Sequence, residues 1–159
     1  MNALINETEV CCQVLHPPNV FFTSFFIQFW GQELSKYDPS ALVVYSIDPY
    51  DPDFLTHGSP SAYPPYRNPP VFPSSIYYGW TDISADQYMG DAILTSASTL
   101  QSVGILNGQD LKNAPAYVNY AISGTPLEKI YGGNVPRLRE IRKEYDPKDV
   151  MGQAGGWKF

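Results

Sequence analysis

The chain has 159 residues, 43% hydrophobic and 16% charged, with 12 tyrosines and 8 phenylalanines. That provides core material for a single domain spanning 1–159 and excludes a disordered tail. With 10 basic against 16 acidic side chains the net charge is −6, which excludes a nonspecific hold on nucleic acid or on an anionic membrane, since both need a basic face.

No apolar run approaches the ~18 residues of a membrane helix. Residues 1–12 carry Glu7 and Glu9 and no basic start, so a signal peptide is not expected and the cytoplasm is the expected location. Residues 2–10 predict a short helix. Cys11 and Cys12 are adjacent, so they form a strained disulfide ring at best, and two sulfurs do not complete a zinc site. They are expected to be small buried hydrophobes. Asn6-Glu7-Thr8 has the form of a glycosylation sequon and is read as a chance match.

Pro17-Pro18-Asn19 predicts a helix stop. Residues 20–30, rich in aromatic and β-branched side chains, predict a strand. Its alternation would set Thr23, Phe25, Ile27 and Phe29 on one face and Ser24, Phe26, Gln28 and Trp30 on the other. The second face suits either a pocket wall or a strand covered on both sides. Residues 41–47 predict a second strand. Residues 47–73 hold eight of the fifteen prolines, with Tyr50, Phe54, Tyr63, Tyr66 and Phe72 interleaved. They predict an extended loop, ordered only where its aromatics pack.

Residues 75–81 predict a third strand. Ser84 with Gln87 three positions on has the form of a capping box, opening a helix striped by Met89, Ile93, Leu100 and Val103 and ending at Gly104. Residues 116–121 predict a short strand. Asn134 predicts the cap of a last helix carrying Val135, Leu138 and Ile141, closed by Asp146-Pro147. This order predicts an α+β fold with a mainly antiparallel sheet, helices packed on one face, and a long Pro/Tyr-rich loop.

Charge is uneven. Residues 1–126 carry 3 basic and 11 acidic side chains, and residues 127–159 carry 7 and 5. Arg137, Arg139, Arg142 and Lys143 make the last helix basic, either as a solvated face or as a surface that docks on the acidic body or on a partner. His16 and His57 are the two side chains that ordinarily titrate near neutrality. His57 lies beside Asp51 and Asp53 and is expected to be a surface histidine. No Ser/His/Asp set has a nucleophile context, and no His/Cys/Asp cluster has metal spacing. Phe26, Trp30, Tyr45 and Trp80, with Tyr77 and Tyr78, could line an apolar pocket or form core.

Tyr117-Val-Asn119-Tyr120-Ala, Tyr131-Gly-Gly-Asn134-Val-Pro-Arg137-Leu138, Lys143-Glu-Tyr145-Asp146-Pro147 and Gly155-Gly-Trp-Lys158-Phe159 together resemble the C-terminal end of fungal FAD-linked oxidases of the berberine-bridge-enzyme type. Those enzymes run to several hundred residues, and their N-terminal half holds the flavin. Here the phosphate-binding loop and the His and Cys attachment context are not found, and Ile122 stands where the family usually has Asp. The resemblance therefore implies a truncated substrate domain with no cofactor.

It also implies that Tyr117 is a candidate acid/base and Asn119 its hydrogen-bonding neighbour. A tyrosine near pKa 10 needs a cation or strong donor nearby to act as a base. Gln28 is expected to polarise a carbonyl, with Phe26, Trp30, Tyr45 and Trp80 as substrate-binding walls. The expected function is a cofactor-free cyclase or isomerase of fungal, polyketide-like natural-product biosynthesis. The alternatives are a non-catalytic binding or accessory protein and a fragment of a full FAD-dependent oxidoreductase. Expected partners are an apolar small molecule and, because the flavin domain's contact surface would be left open, a second copy docked through the last helix and residues 155–159.

Overall fold

A computed structural model describes residues 4–13, 18–48, 51, 54–67 and 71–159. The fold is α+β, with one three-stranded antiparallel sheet in the order β1 (Leu4–Gln13), β3 (Val71–Trp80), β2 (Leu42–Ile47). β3 is central because its ten residues pair along their full length with β1, from Leu4 opposite Trp80 to Gln13 opposite Val71. β2 covers only its C-terminal part, from Leu42 opposite Gly79 to Ile47 opposite Ser74. Pro73, which has no N–H to donate, falls one residue beyond the end of β2, where β3 has a single neighbour.

Two helices, α1 (Pro18–Leu34) and α2 (Asp86–Leu106), cover one face of this sheet. Side chains alternate along a strand, so Ile76, Tyr78 and Trp80 of β3 all point to that face and are buried. They meet Phe26 and Leu34 of α1 and Met89, Ile93, Ala97 and Leu100 of α2, the last four at helical spacing. Burial of such a side chain stabilises by roughly 1.5–3 kcal/mol. Beyond the body come α3 (Leu127–Tyr131), α4 (Val135–Tyr145) and α5 (Val150–Gln153).

Asp38 clamps the exit of α1 to the exit of β3. Its carboxylate accepts hydrogen bonds from Ser40 N and Oγ, Thr81 N and Oγ1, and Asp82 N, at 2.6–3.2 Å. These donors, the Ser40 hydroxyl first, hold its carboxyl well below the usual carboxylate range.

Four local expectations are corrected. Of the helix expected over residues 2–10, residues 4–10 lie in strand β1 and residues 2 and 3 lie outside the described residues; ten-residue pairing with β3 overrides a weak helical signal. Residues 20–30 lie within α1 rather than a strand. Pro18 occupies the first helical position, where its missing N–H is harmless, so the proline pair starts this helix. Phe26, Trp30 and Leu34 recur every four residues and form its inner stripe, leaving Phe25 and Phe29 stacked and exposed at 6.2 Å. Residues 116–121 form a turn instead of a strand, with Tyr120 N and Ala121 N both donating to Tyr117 O at 3.0 Å. The cap ahead of α2 is Asp82, which accepts from Ser84 N and Ser84 Oγ; Gln87 donates to Asp91 instead of closing a capping box.

Candidate functional site

The 54–67 loop is built around Arg67, whose guanidinium donates to the carbonyls of Leu55, His57 and Ser59. One charged fork thus satisfies three main-chain acceptors and compacts the segment. Asn134 then ties it to the C-terminal region. It sits at the N-cap position of α4, yet its amide makes no cap and donates to Ser61 O and Ala62 O at 3.2 and 2.9 Å. Gly132, at φ 54, lies against the same loop, 3.6 Å separating the position of a Cβ there from Pro64 Cγ.

A cluster of tyrosines forms where this loop meets the 117–120 turn. Tyr63 packs edge-on against Tyr117 at 5.8 Å, and Tyr117 against Tyr120 at 5.1 Å. Tyr120 in turn meets Tyr77 at 6.5 Å, on the opposite side of β3 from Tyr78. Asn119 Nδ2 donates to the Tyr117 hydroxyl at 2.8 Å, and the Tyr120 hydroxyl donates to Asp48 Oδ2, just past β2, at 2.9 Å. The rings of Tyr117 and Tyr120 are half-buried and Asn119 is exposed. Two hydroxyls, an amide and a carboxylate are therefore gathered within one aromatic frame.

The expected site residues divide between this cluster and the core. Tyr117 and Asn119 are in direct contact, through a turn instead of a shared strand face. Phe26, Trp30, Tyr45 and Trp80 lie on the helix-covered side of the sheet. Phe26 meets Tyr45 at 6.4 Å, Trp30 meets Tyr78 at 6.2 Å, and Trp80 Nε1 donates to Asp86 Oδ1 at 2.6 Å. The Tyr45 hydroxyl pairs with Tyr78 at 3.0 Å and with Ser96 Oγ. Burial pushes the hydroxyl pKa of Tyr45 and Tyr78 up. Gln28 is exposed on the outer side of α1, separated from this aromatic layer by the helix itself.

Tyr120, Asp48 and Tyr63 were absent from the expected set. The signal for Tyr120 lay in the Tyr-x-Asn-Tyr motif, whereas Asp48 comes from 72 residues away and carried none. His57 is exposed in its loop, while His16 and Asp53 lie outside the described residues. Among the described residues no group of three or more His, Cys, Asp or Glu is placed to hold a metal ion, and no helix is long and apolar enough to cross a membrane.

Main-chain N–H groups free at a helix N-terminus are one way to hold the pyrophosphate of a flavin dinucleotide. The starts of α2 and α4 are taken by the protein's own groups. Asp82 occupies the turn ahead of α2, and Gly132 and Asn134 ahead of α4 hold the 61–64 loop.

No curated protein and no solved structure matches this chain. The stretch that bears the Tyr117–Asn119 contact, the Gly132-Gly133-Asn134 junction and all of α4 is similar to a known family: residues 116–153 match the family described as Berberine and berberine like.

Proposed function

We propose that the chain is a flavin-independent acid–base enzyme, a cyclase or isomerase acting on an apolar carbonyl compound of natural-product type, with its chemistry at the Tyr117 cluster. The observation that carries this reading is the Asn119–Tyr117 hydrogen bond. A phenol that accepts an N–H bond keeps its own proton available for donation, and the same N–H stabilises the oxygen once that proton has gone.

In the proposed reaction, Tyr117 donates its proton to the substrate carbonyl oxygen while the Asp48 carboxylate removes a proton from the carbon beside it, giving the enol. Return of the proton from Asp48 to a different carbon, with reprotonation of Tyr117 from the carbonyl side, completes an isomerisation. If the enol carbon instead attacks a second carbonyl of the same molecule, a C–C bond forms as that carbonyl's π bond breaks, its oxygen takes the proton held on Asp48, and the enol proton returns to Tyr117, so a ring forms with no net redox change. Tyr120 orients Asp48, and Tyr63 and Tyr77 offer ring faces to the apolar body of the substrate.

The test is deuterium incorporation from D2O into an aryl-fused cyclic ketone, followed by NMR. The intact protein is expected to accelerate exchange, and Tyr117→Phe to lower the rate about 100-fold or more, the scale of general acid–base catalysis. Exchange unaffected by Tyr117→Phe overturns the assignment.

The family match over residues 116–153 favours a second reading, the substrate-side part of an FAD-linked oxidase. Absorbance titration with FAD separates the two. No binding is expected on the first reading, and a flavin-loaded protein supports the second. The first reading also includes a homodimer. Phe159 packs on Tyr131 of its own chain at 5.2 Å, and Arg137, Arg139 and Arg142 pair with Glu140, Glu128 and Asp149. The exposed Phe25 and Phe29 ridge is the surface a second copy would cover, and sedimentation of the intact chain as a monomer would refute it.

A further inference from the structure

A groove of about 440 Å3 runs between one flank of α2 and residues 114–126, within the range of small-molecule pockets, roughly 300–1,000 Å3. It is separate from the tyrosine cluster, to which it contributes no side chain. Its apolar lining includes Leu94, Ala97, Ala114, Ala116, Ala121 and Ile122, and four of these six side chains are alanine and form a low floor. Alanine floors leave room for a flat ring system in a way that leucine or phenylalanine floors do not.

Two hydroxyls and one amide around this floor offer acceptors. Ser98 Oγ has given its proton to Thr95 O at 3.0 Å, and Thr125 Oγ1 has given its proton to Ile122 O at 2.7 Å. Each hydroxyl is left to a ligand as an acceptor. Gln101 Nε2 donates to Leu111 O at 3.0 Å, which leaves its carbonyl oxygen as a third acceptor. The one ionisable side chain lining the groove is Lys129. No ion pair engages its ammonium among the described residues, and its neighbour Glu128 is directed to Arg139 at 3.6 Å.

We propose that this groove binds a small hydroxylated aromatic acid. Its carboxylate pairs with Lys129, its ring lies on the alanine floor, and its hydroxyl donates to Ser98 or Thr125. Charge complementarity selects this occupant: a cationic ligand meets Lys129 with like charge, and a neutral lipid leaves both the ammonium and the acceptors without partners.

The experiment titrates the intact chain with hydroxynaphthoate by fluorescence, alongside its methyl ester and plain naphthoate. Saturable binding of hydroxynaphthoate is expected. The methyl ester, and separately Lys129→Gln, should each weaken binding about tenfold, the scale of one charge-assisted hydrogen bond. Lys129→Arg should retain binding, plain naphthoate should bind a few-fold more weakly, and rising salt should weaken the acid but not the ester. Ser98→Trp, at an exposed position, should fill the groove and abolish binding, with thermal melts confirming that each variant folds. Tyr117→Phe should leave the probe's affinity unchanged, so the outcome is independent of the proposed reaction. Equal affinity for acid and ester, unaltered binding by both Lys129→Gln and Ser98→Trp, or no saturable binding overturns the proposal.

Discussion

Tyrosine stands in two different settings in two regions of this molecule. In the sheet–helix body, Tyr45 and Tyr78 close a hydroxyl triad with Ser96 beneath the helices, and burial pushes both phenols away from ionisation. In the berberine-like segment, Tyr117 and Tyr120 stand half-exposed, their hydroxyls paired with Asn119 and Asp48. The same side chain is sealed among protein groups in one region and half-exposed in the other, where the proposed reaction would use its proton. Residue type alone does not separate the two roles; the surroundings of the hydroxyl do.

The largest expected effect tests the body side of that contrast. Trp80 is 3% exposed and anchors the start of α2 through Asp86. Trp80→Ala should lower stability by about 3–5 kcal/mol through the cavity it leaves, read from urea unfolding followed by circular dichroism. A loss below about 1 kcal/mol would show that the aromatic layer is not the structural core assigned here.

Asp38 comes next, and its effect is readable in pH. Its carboxyl is held below the ordinary aspartate range, first by the Ser40 hydroxyl. A depressed folded pKa means that the stabilisation is fully present above the unfolded value of about 3.9 and is lost as pH falls through the folded one. The wild-type melting temperature should therefore hold from neutrality to about pH 5 and fall on further acidification below about pH 4. Asp38→Asn should melt lower at neutral pH, because its NH2 faces the Thr81 and Asp82 donors, and its melting temperature should decline less steeply with acid. Parallel acid limbs in the two proteins would remove Asp38 from this role.

How much of the body could be read from sequence follows the locality of each signal. α2 carries its stripe from Met89 to Leu100 within one segment, and β2 and α4 are similarly self-contained, so all three stand close to where residue pattern places them. β1 becomes a strand through a partner some seventy residues away, which no local window contains. α1 was hidden by composition: a segment rich in aromatic and β-branched side chains favours a strand reading, and the stripe of Phe26, Trp30 and Leu34 emerges once Pro18 is taken as a first helical residue. For the candidate site the motif supplied Tyr117 and Asn119, while Asp48 and Tyr63 come from the loop and strand ends that only the fold brings together.

Removal of one oxygen from the buried side isolates the hydroxyl from the ring. Tyr45→Phe keeps the contact with Phe26 but withdraws a partner from Tyr78 and from Ser96, which is fully buried. Leaving a buried polar group unsatisfied costs about 1–3 kcal/mol, and equilibrium unfolding should show a loss in that range. A neutral result would mean that the Ser96 hydroxyl finds another acceptor inside the core.

The smallest expected change in stability is at Tyr117, and its smallness is what sharpens the contrast. Tyr117→Phe removes the same atom as Tyr45→Phe, yet the group it abandons, Asn119 Nδ2, is on an exposed side chain that water can satisfy. The edge contacts of the ring with Tyr63 and Tyr120 survive, since they depend on the ring and not on the hydroxyl. Stability should stay within about 0.5 kcal/mol of wild type, the ordinary range for surface substitutions. On the proposed reaction, proton exchange into the ketone should nevertheless collapse. A variant that is stable and inactive, set beside Tyr45→Phe as destabilised but active once corrected for the folded fraction, would separate the two uses of tyrosine experimentally. If instead Tyr117→Phe destabilises as much as Tyr45→Phe, the 117–120 turn is part of the structural core and its hydroxyls are packing groups like those under the helices.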